Sequence, residues 1–294
     1  KSPFYTFLRI KPEAALGRLH QLINFSTDRW VQAVSKRNGS NPSRLSIRLS
    51  DGTVREYEGN HWVFSWSDED SNSIGQLHCA LAALEQWLCD LIDAGIDIVP
   101  RIEALLRATT SVAVLGVLVS VGKYRKELLK GPLRPLLGVQ HFYGWDSRRV
   151  NANAYRFDAT AWARWGEFIF EMAKRWFSAP YRRQPLRAIV PKIIMADREV
   201  GDFVAAMTRQ WVSPKSEKEA LEFRALVAEL DYRNYSSVLD PTSGKQVSEF
   251  ACPPDIAEAI ATFRQKSSRA IQALTFPQQF RDAPDQPGPP SNHS

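Results

Sequence analysis

Cysteine is scarce in this sequence, and its three cysteines cannot form a disulfide framework. Of the 294 residues, only Cys79, Cys89 and Cys252 are cysteines. Cys79 and Cys89 lie ten positions apart in one apolar segment, so on a helix their side chains are separated by roughly 80° around the axis and cannot pair. This usage is typical of a reducing compartment, and we expect a cytoplasmic protein.

Long hydrophobic runs and a leader pattern are also missing. The longest fully apolar run, Val112 to Val119, is far short of the roughly 20 residues that a membrane-spanning helix needs. The N-terminus does not have the charged-then-apolar pattern of a signal peptide. We therefore predict no membrane partner. The first residue is Lys1 rather than Met, and we expect the chain to be a fragment of a longer protein.

The motifs of metal, nucleotide and nucleophilic chemistry are incomplete or absent. No two of the five histidines have the spacing that helical metal ligands use, so we predict no metal site. Gly116 and Gly122-Lys123 approximate a phosphate loop, but the glycines are six apart and Tyr124 stands where Ser or Thr is required. The segment ending at Lys245 fails similarly, with Leu239 at the first glycine position. There is no Gly-x-Ser-x-Gly elbow. We assign no catalytic residue and no cofactor.

What the sequence does contain is helical periodicity almost throughout. A block from Gly75 to Gly122 joins two apolar helical segments to a third, Ser111 to Val121, which is rich in β-branched residues. We predict a helix for this third segment because it follows two helices, with a buried strand as the alternative. Thr160 to Phe177 has a tryptophan-rich face and a charged face, which indicates an amphipathic helix.

At one place in the sequence the apolar residues recur at every second position instead of every third or fourth. Residues 45–49 and 54–58 alternate between apolar and polar, and Asp51-Gly52 lies between them, which predicts a β-hairpin.

The predicted fold is mainly α: stacked antiparallel helices in the manner of an α-solenoid, with one β-hairpin. We expect a helical domain at 1–146 that includes the hairpin (45–58) and the apolar core (75–122), a second and basic helical region at 147–276, and a disordered tail at 277–294.

Positive charge is concentrated in one stretch. The net charge is +6, and residues 148–198 hold eleven Lys and Arg against four Asp and Glu. Such a patch can contact an acidic protein or nucleic acid, although a solvated helix face with Arg-rich loops has the same composition. The candidate partner-binding residues are Arg148, Arg149, Arg182, Arg183 and Arg187, and the last three are expected on an exposed Pro-flanked loop.

Glu85 is the most unusual carboxylate, because its helix is otherwise nearly free of charge. A buried Glu with a raised pKa can be catalytic. The more common arrangements are a pair with an Arg of an adjacent helix or a place on the exposed edge of its own helix.

Three blocks resemble a known family. Ala80 to Leu88 (ALAALEQWL), Ser111 to Ser120 (SVAVLGVLVS) and Phe142 to Asp146 (FYGWD) are similar to blocks of very large bacterial proteins that join a STAND-type P-loop NTPase module to long helical regions. Many of these are suspected phage-defence sensors. The resemblance covers about Pro3 to Arg149, with a weaker match at Asp231 to Asn234, and it carries no catalytic residue.

The resemblance implies a non-catalytic helical scaffold or sensor region of a larger NTPase. Any ATPase activity would then lie outside this chain, and the partner would be another domain of the larger chain or another protein. Two alternatives stay open. One is a hydrolase or nuclease that uses dispersed carboxylates such as Glu85, Asp197 and Glu199, and the other is a basic nucleic-acid-binding module.

Overall fold

The chain folds into two compact units. The structure is a computed structural model that describes residues 2–38, 44–68, 75–156, 166–239 and 246–265. The first unit contains Lys1–Trp211 and Leu230–Tyr232, and the second contains Val212–Glu229 and Arg233–Ser294. The boundary expected between residues 146 and 147 falls inside a continuous helix, Gln140–Arg156, and the contacts divide the chain near Trp211 instead.

The first unit is built almost entirely of helices. Its elements in chain order are α1 (Pro3–Ile10), α2 (Pro12–Asn38), β1 (Arg44–Arg48), β2 (Val54–Glu58), α3 (His61–Phe64), α4 (Gly75–Asp93), α5 (Val99–Ala108), α6 (Val112–Tyr124), α7 (Glu127–Lys130), α8 (Arg134–Leu137), α9 (Gln140–Arg156), α10 (Glu167–Ser178), α11 (Pro180–Arg183), α12 (Leu186–Ala196) and α13 (Arg198–Thr208). The prediction of a mainly α protein is confirmed.

Helix α6 forms the centre of this unit. Every residue from Val112 to Lys123 is buried, and α6 packs against α4, α3 and α5 among others. The Ser111 side chain accepts a hydrogen bond from the backbone N–H of Ala113, which caps the helix start. The segment is therefore a helix, as predicted, although its valines favour strands. Burial on all sides outweighs intrinsic propensity here.

Gly116 allows α3 to approach α6 closely. A Cβ atom at this position would lie well inside van der Waals contact of the backbone carbonyl oxygen of Phe64. Because backbone atoms cannot move aside as a flexible side chain can, we expect Gly116→Ala to lower the free energy of unfolding by about 2 kcal/mol. Urea denaturation measures this change. Gly17→Ala is the control, since a Cβ there meets nothing within 4 Å, and an equal effect of both substitutions would contradict the packing.

The predicted hairpin is present. β1 and β2 pair antiparallel, with Leu45 opposite Tyr57 and Ile47 opposite Arg55. Gly52 adopts φ 84° in the turn, a conformation that glycine enters without steric cost, and Asp51 Oδ1 accepts the backbone N–H of Thr53. Leu45, Ile47 and Tyr57 are buried, so one face of the hairpin joins the core.

The second unit contains a further hairpin. Its elements are α14 (Glu217–Glu229), β3 (Tyr235–Leu239), β4 (Gln246–Phe250) and a helix over residues 254–265. Leu221, Ala228 and Ile256 form a small buried cluster. The sequence analysis did not predict the β3–β4 pair. Ser236 and Ser237 interrupt the apolar alternation that marks a strand, so the pattern was too weak to detect.

Two other sequence predictions can be compared with the structure. The amphipathic helix expected over Thr160 to Phe177 is described from Glu167 to Ser178, while residues 157–165 and the predicted tail at 277–294 lie outside the described residues. Within the described ranges, no helix combines the length and the apolar character needed to cross a bilayer.

Candidate functional site

Six charged side chains form a buried ionic network in the first unit. They come from α4, α6, α9, α11 and the segment that follows α3. Each is at most 4% exposed. The three acidic members and the three basic members are Asp68, Glu85, Asp146, Lys123, Arg149 and Arg182. We call this set the ionic network.

Asp146 lies at the centre of one half of the network. Its Oδ1 and Oδ2 atoms are 2.9 and 3.0 Å from Lys123 Nζ, and its Oδ2 also accepts the backbone N–H of Leu186 at 2.6 Å. Lys123 Nζ donates a further hydrogen bond to the carbonyl oxygen of Gln184. The pair thus links α6, α9 and the start of α12 through groups whose hydrogen-bonding capacity is largely used.

Arg149 connects the two halves. Its Nη2 donates to Asp146 Oδ1 at 2.6 Å, and its Nη1 donates to the Gly116 carbonyl oxygen at 2.9 Å. Its Nε lies 3.8 Å from Asp68 Oδ2, and its guanidinium carbon lies 4.9 Å from the centre of the Phe64 ring. Asp146 and Arg149 are three residues apart on α9, so both reach the same side of that helix.

Arg182 forms the other half. Its Nη1 donates to Asp68 Oδ1 at 3.0 Å, and its Nη2 lies 2.7 Å from Glu85 Oε1. The Trp176 ring covers the guanidinium group, with 3.6 Å from the Arg182 Cζ atom to the ring centre, a cation–π arrangement. Among the described residues, no donor makes a well-aligned hydrogen bond to Glu85, so the nearby charge of Arg182 is its main compensation.

The pKa shifts reflect this mutual neutralisation. Burial by itself raises the pKa of Asp146, but the charges of Lys123 and Arg149 and the donated hydrogen bonds outweigh burial and hold that pKa below its ordinary value. Burial lowers the pKa of Lys123, and Asp146 opposes that shift. Burial likewise disfavours the charged form of Arg182, but Glu85 and Asp68 outweigh it and raise its pKa.

The structure divides the five predicted partner-binding arginines. Arg148 and Arg183 are exposed, and Arg187 is half-buried. Arg149 and Arg182 are buried, and their charges are used inside the fold. The expectation of an exposed loop is wrong for the last three, since Arg182 and Arg183 lie on α11 and Arg187 lies on α12. Arg182 is buried there because its guanidinium group is the countercharge of Glu85 and shares Asp68 with Arg149.

Glu85 has the first of its two expected non-catalytic arrangements, since it pairs with an arginine of another helix. Sequence reasoning missed Lys123 and Asp146 as members of a network. The available signal was that Lys123 is the single charge in an otherwise apolar helix and that Asp146 ends an aromatic block. Buried charges require partners, so each of the two residues implied a counterion elsewhere.

The carboxylates suggested for hydrolysis do not form a metal centre. Asp197 caps α13, with its Oδ1 accepting the backbone N–H of Val200, and Glu199 is exposed. In the part of the chain that the structure describes, no group of three or more His, Cys, Asp or Glu side chains could hold a metal ion.

The segment from Gly116 to Lys123, which approximates a phosphate-loop pattern, also has a different role. Gly116, Gly122 and Lys123 lie within helix α6 rather than in a loop after a strand, and Lys123 Nζ is bound to Asp146.

The comparisons with known proteins add no family to this description. The sequence matches no protein-family model and no curated protein.

Proposed function

We propose that this chain is a non-catalytic helical scaffold or sensor region that recognises another protein, another domain or a ligand. It would belong to a larger bacterial NTPase of the STAND type, with a role in phage defence. The family assignment rests on the resemblance of the three sequence blocks. All three blocks supply the centre of the first unit: α4, α6 and the start of α9.

The non-catalytic role is supported by the way the charges of the ionic network are paired with one another inside the fold. Three negative and three positive side chains compensate one another, and each is at most 4% exposed. A catalytic group must reach a substrate atom within hydrogen-bonding distance or through one water molecule. Charges that are buried and already paired serve instead to fix the positions of the helices that carry them.

A recognition role has to use the exposed surface, because the interior is occupied. Arg148 and Arg183 are exposed, as are Lys174 and Arg175 on α10. Phe168 on α10 is 71% exposed, and Met172 is 42% exposed. Apolar side chains and cations that lie side by side on a surface are typical of binding interfaces.

We expect the purified chain to have no turnover above buffer background. The assays are hydrolysis of ATP with Mg²⁺, of generic ester substrates, and of nucleic acid with divalent metals. Glu127→Gln is the matched control for Glu85→Gln, since the Glu127 side chain is 69% exposed and is not one of the suggested catalytic carboxylates, whereas Glu85 is buried. Metal-dependent turnover that a single substitution at Glu85, Asp197 or Glu199 abolishes, with the circular dichroism spectrum unchanged, would support the hydrolase alternative instead.

A further inference from the structure

Phe64, at the end of α3, packs against two aromatic side chains of α9. The Phe64 ring centre is 5.1 Å from that of Phe142 and 5.6 Å from that of Trp145, both on α9. Phe64 and Phe142 are fully buried, and Trp145 is 8% exposed. These aromatic contacts join the end of α3 to the part of α9 that carries Arg148, which follows Trp145 by three positions.

The outer side of this pair carries an exposed indole. Trp62 is 49% exposed, and its ring centre lies 4.8 Å from that of His61. The exposed residues of α9 recur every three or four positions and so form one stripe: His141, Gly144, Arg148 and Asn151. We call these four residues, together with His61 and Trp62, the α3–α9 surface.

Among the residues that the structure describes, α3 and the exposed stripe of α9 carry a cation and no exposed carboxylate. The single acidic residue of α9, Asp146, is buried in the ionic network, and α3 has none. Burial and, to a smaller extent, the charge of Arg148 lower the pKa of His61, in agreement with a position of Arg148 close to His61. His61 is therefore neutral at physiological pH, and the positive charge of the surface resides on Arg148.

We infer that the α3–α9 surface binds single-stranded nucleic acid, with a base stacked on Trp62 and a backbone phosphate held by Arg148. An exposed aromatic ring beside a cation is the combination that single-strand binders use, because every base has a face that can stack. In a duplex the faces of the bases are covered by their neighbours. An acidic protein is the alternative occupant, since Trp and Arg also anchor protein interfaces, and polyglutamate is part of the test for that reason. The inference specifies the ligand of the proposed recognition role and rests on it.

Fluorescence anisotropy with labelled single-stranded RNA and DNA of about 20 nucleotides tests this site. We expect Trp62→Ala to weaken binding about tenfold and Trp62→Phe to retain most of the affinity. Arg148→Ala should weaken binding and reduce the slope of log K against log salt concentration by about 0.7, the value for one lost phosphate contact on a single strand. Duplex DNA of the same length should bind more weakly than either single strand.

The chain provides matched controls on other surfaces. Phe25→Ala removes a more exposed aromatic ring from α2, and Lys218→Ala removes an exposed cation from α14, so both should leave affinity unchanged. All variants alter exposed side chains, so their melting temperatures should equal that of the wild type. Three results would overturn the inference: no wild-type binding at low salt, binding that Trp62→Ala leaves intact, or polyglutamate binding that requires Arg148 but not Trp62. None of them involves turnover, so they differ from the result that would refute the non-catalytic role.

Discussion

Arg182→Ala is expected to lower the free energy of unfolding by about 3–5 kcal/mol, because it leaves Glu85 buried without its countercharge and Asp68 with only the more distant Arg149. Both carboxylates are at most 2% exposed, so water cannot replace the guanidinium group. The substitution also removes the cation that lies 3.6 Å from the Trp176 ring centre. Urea denaturation followed by circular dichroism measures the loss.

Arg183→Ala is the matched control, one residue further along α11. Arg183 is exposed, and its Nε donates one long hydrogen bond of 3.4 Å to the Phe177 carbonyl oxygen. Its replacement should change the free energy of unfolding by no more than about 0.5 kcal/mol. Similar effects of the two substitutions would mean that Arg182 is not compensating buried carboxylates.

Asp146→Asn is expected to have an effect of the same size, about 3–5 kcal/mol, because it leaves Lys123 buried without a carboxylate and Arg149 with only the more distant Asp68. The amide nitrogen would in addition face at least one of the donors that now point at the carboxylate. Glu127→Gln is the control: Glu127 pairs with Arg125, but its side chain is 69% exposed, so its loss should cost less than about 0.5 kcal/mol.

Asp146 is also expected to make the stability of the fold depend on pH. The pKa of Asp146 is lowered in the folded protein relative to its ordinary value of 3.8, so the unfolded chain takes up protons at a higher pH than the folded one. Its contribution to stability is complete above the unfolded pKa and is lost as the pH falls through the folded pKa. Urea titrations between about pH 3 and pH 7 should give a shallower acid loss for Asp146→Asn than for the wild type. Parallel curves for the two proteins would contradict the assignment.

Local patterns were enough to predict much of the fold. The β1–β2 hairpin follows from Asp51-Gly52 between alternating runs, and α6 follows from its position after two helices despite its valines. The β3–β4 hairpin could not be predicted, because its serines weaken the alternation that distinguishes a strand. The division near Trp211 depends on contacts between distant residues, which periodicity does not encode.

The ionic network was only partly accessible to sequence reasoning. An arginine partner for Glu85 could be expected from the cost of burying a carboxylate alone, but nothing local identified Arg182. Arg182 and Asp68 are 114 positions apart, and the Arg-rich, Pro-flanked sequence around Arg182 is also typical of an exposed loop. The membership of Lys123 and Asp146 in the network could not be predicted for the same reason, since each charge is explained only by a partner from another helix.

A double-mutant cycle on Glu85 and Arg182 tests whether paired buried charges hold this fold together. Glu85→Gln, Arg182→Met and the double variant would be compared with the wild type by urea denaturation. We predict that the double variant is more stable than the sum of the single losses implies, with a coupling of about 1–3 kcal/mol. If the losses in the free energy of unfolding of the two single variants add to that of the double variant within about 0.5 kcal/mol, the two side chains do not compensate each other and the paired charges do not hold the fold together.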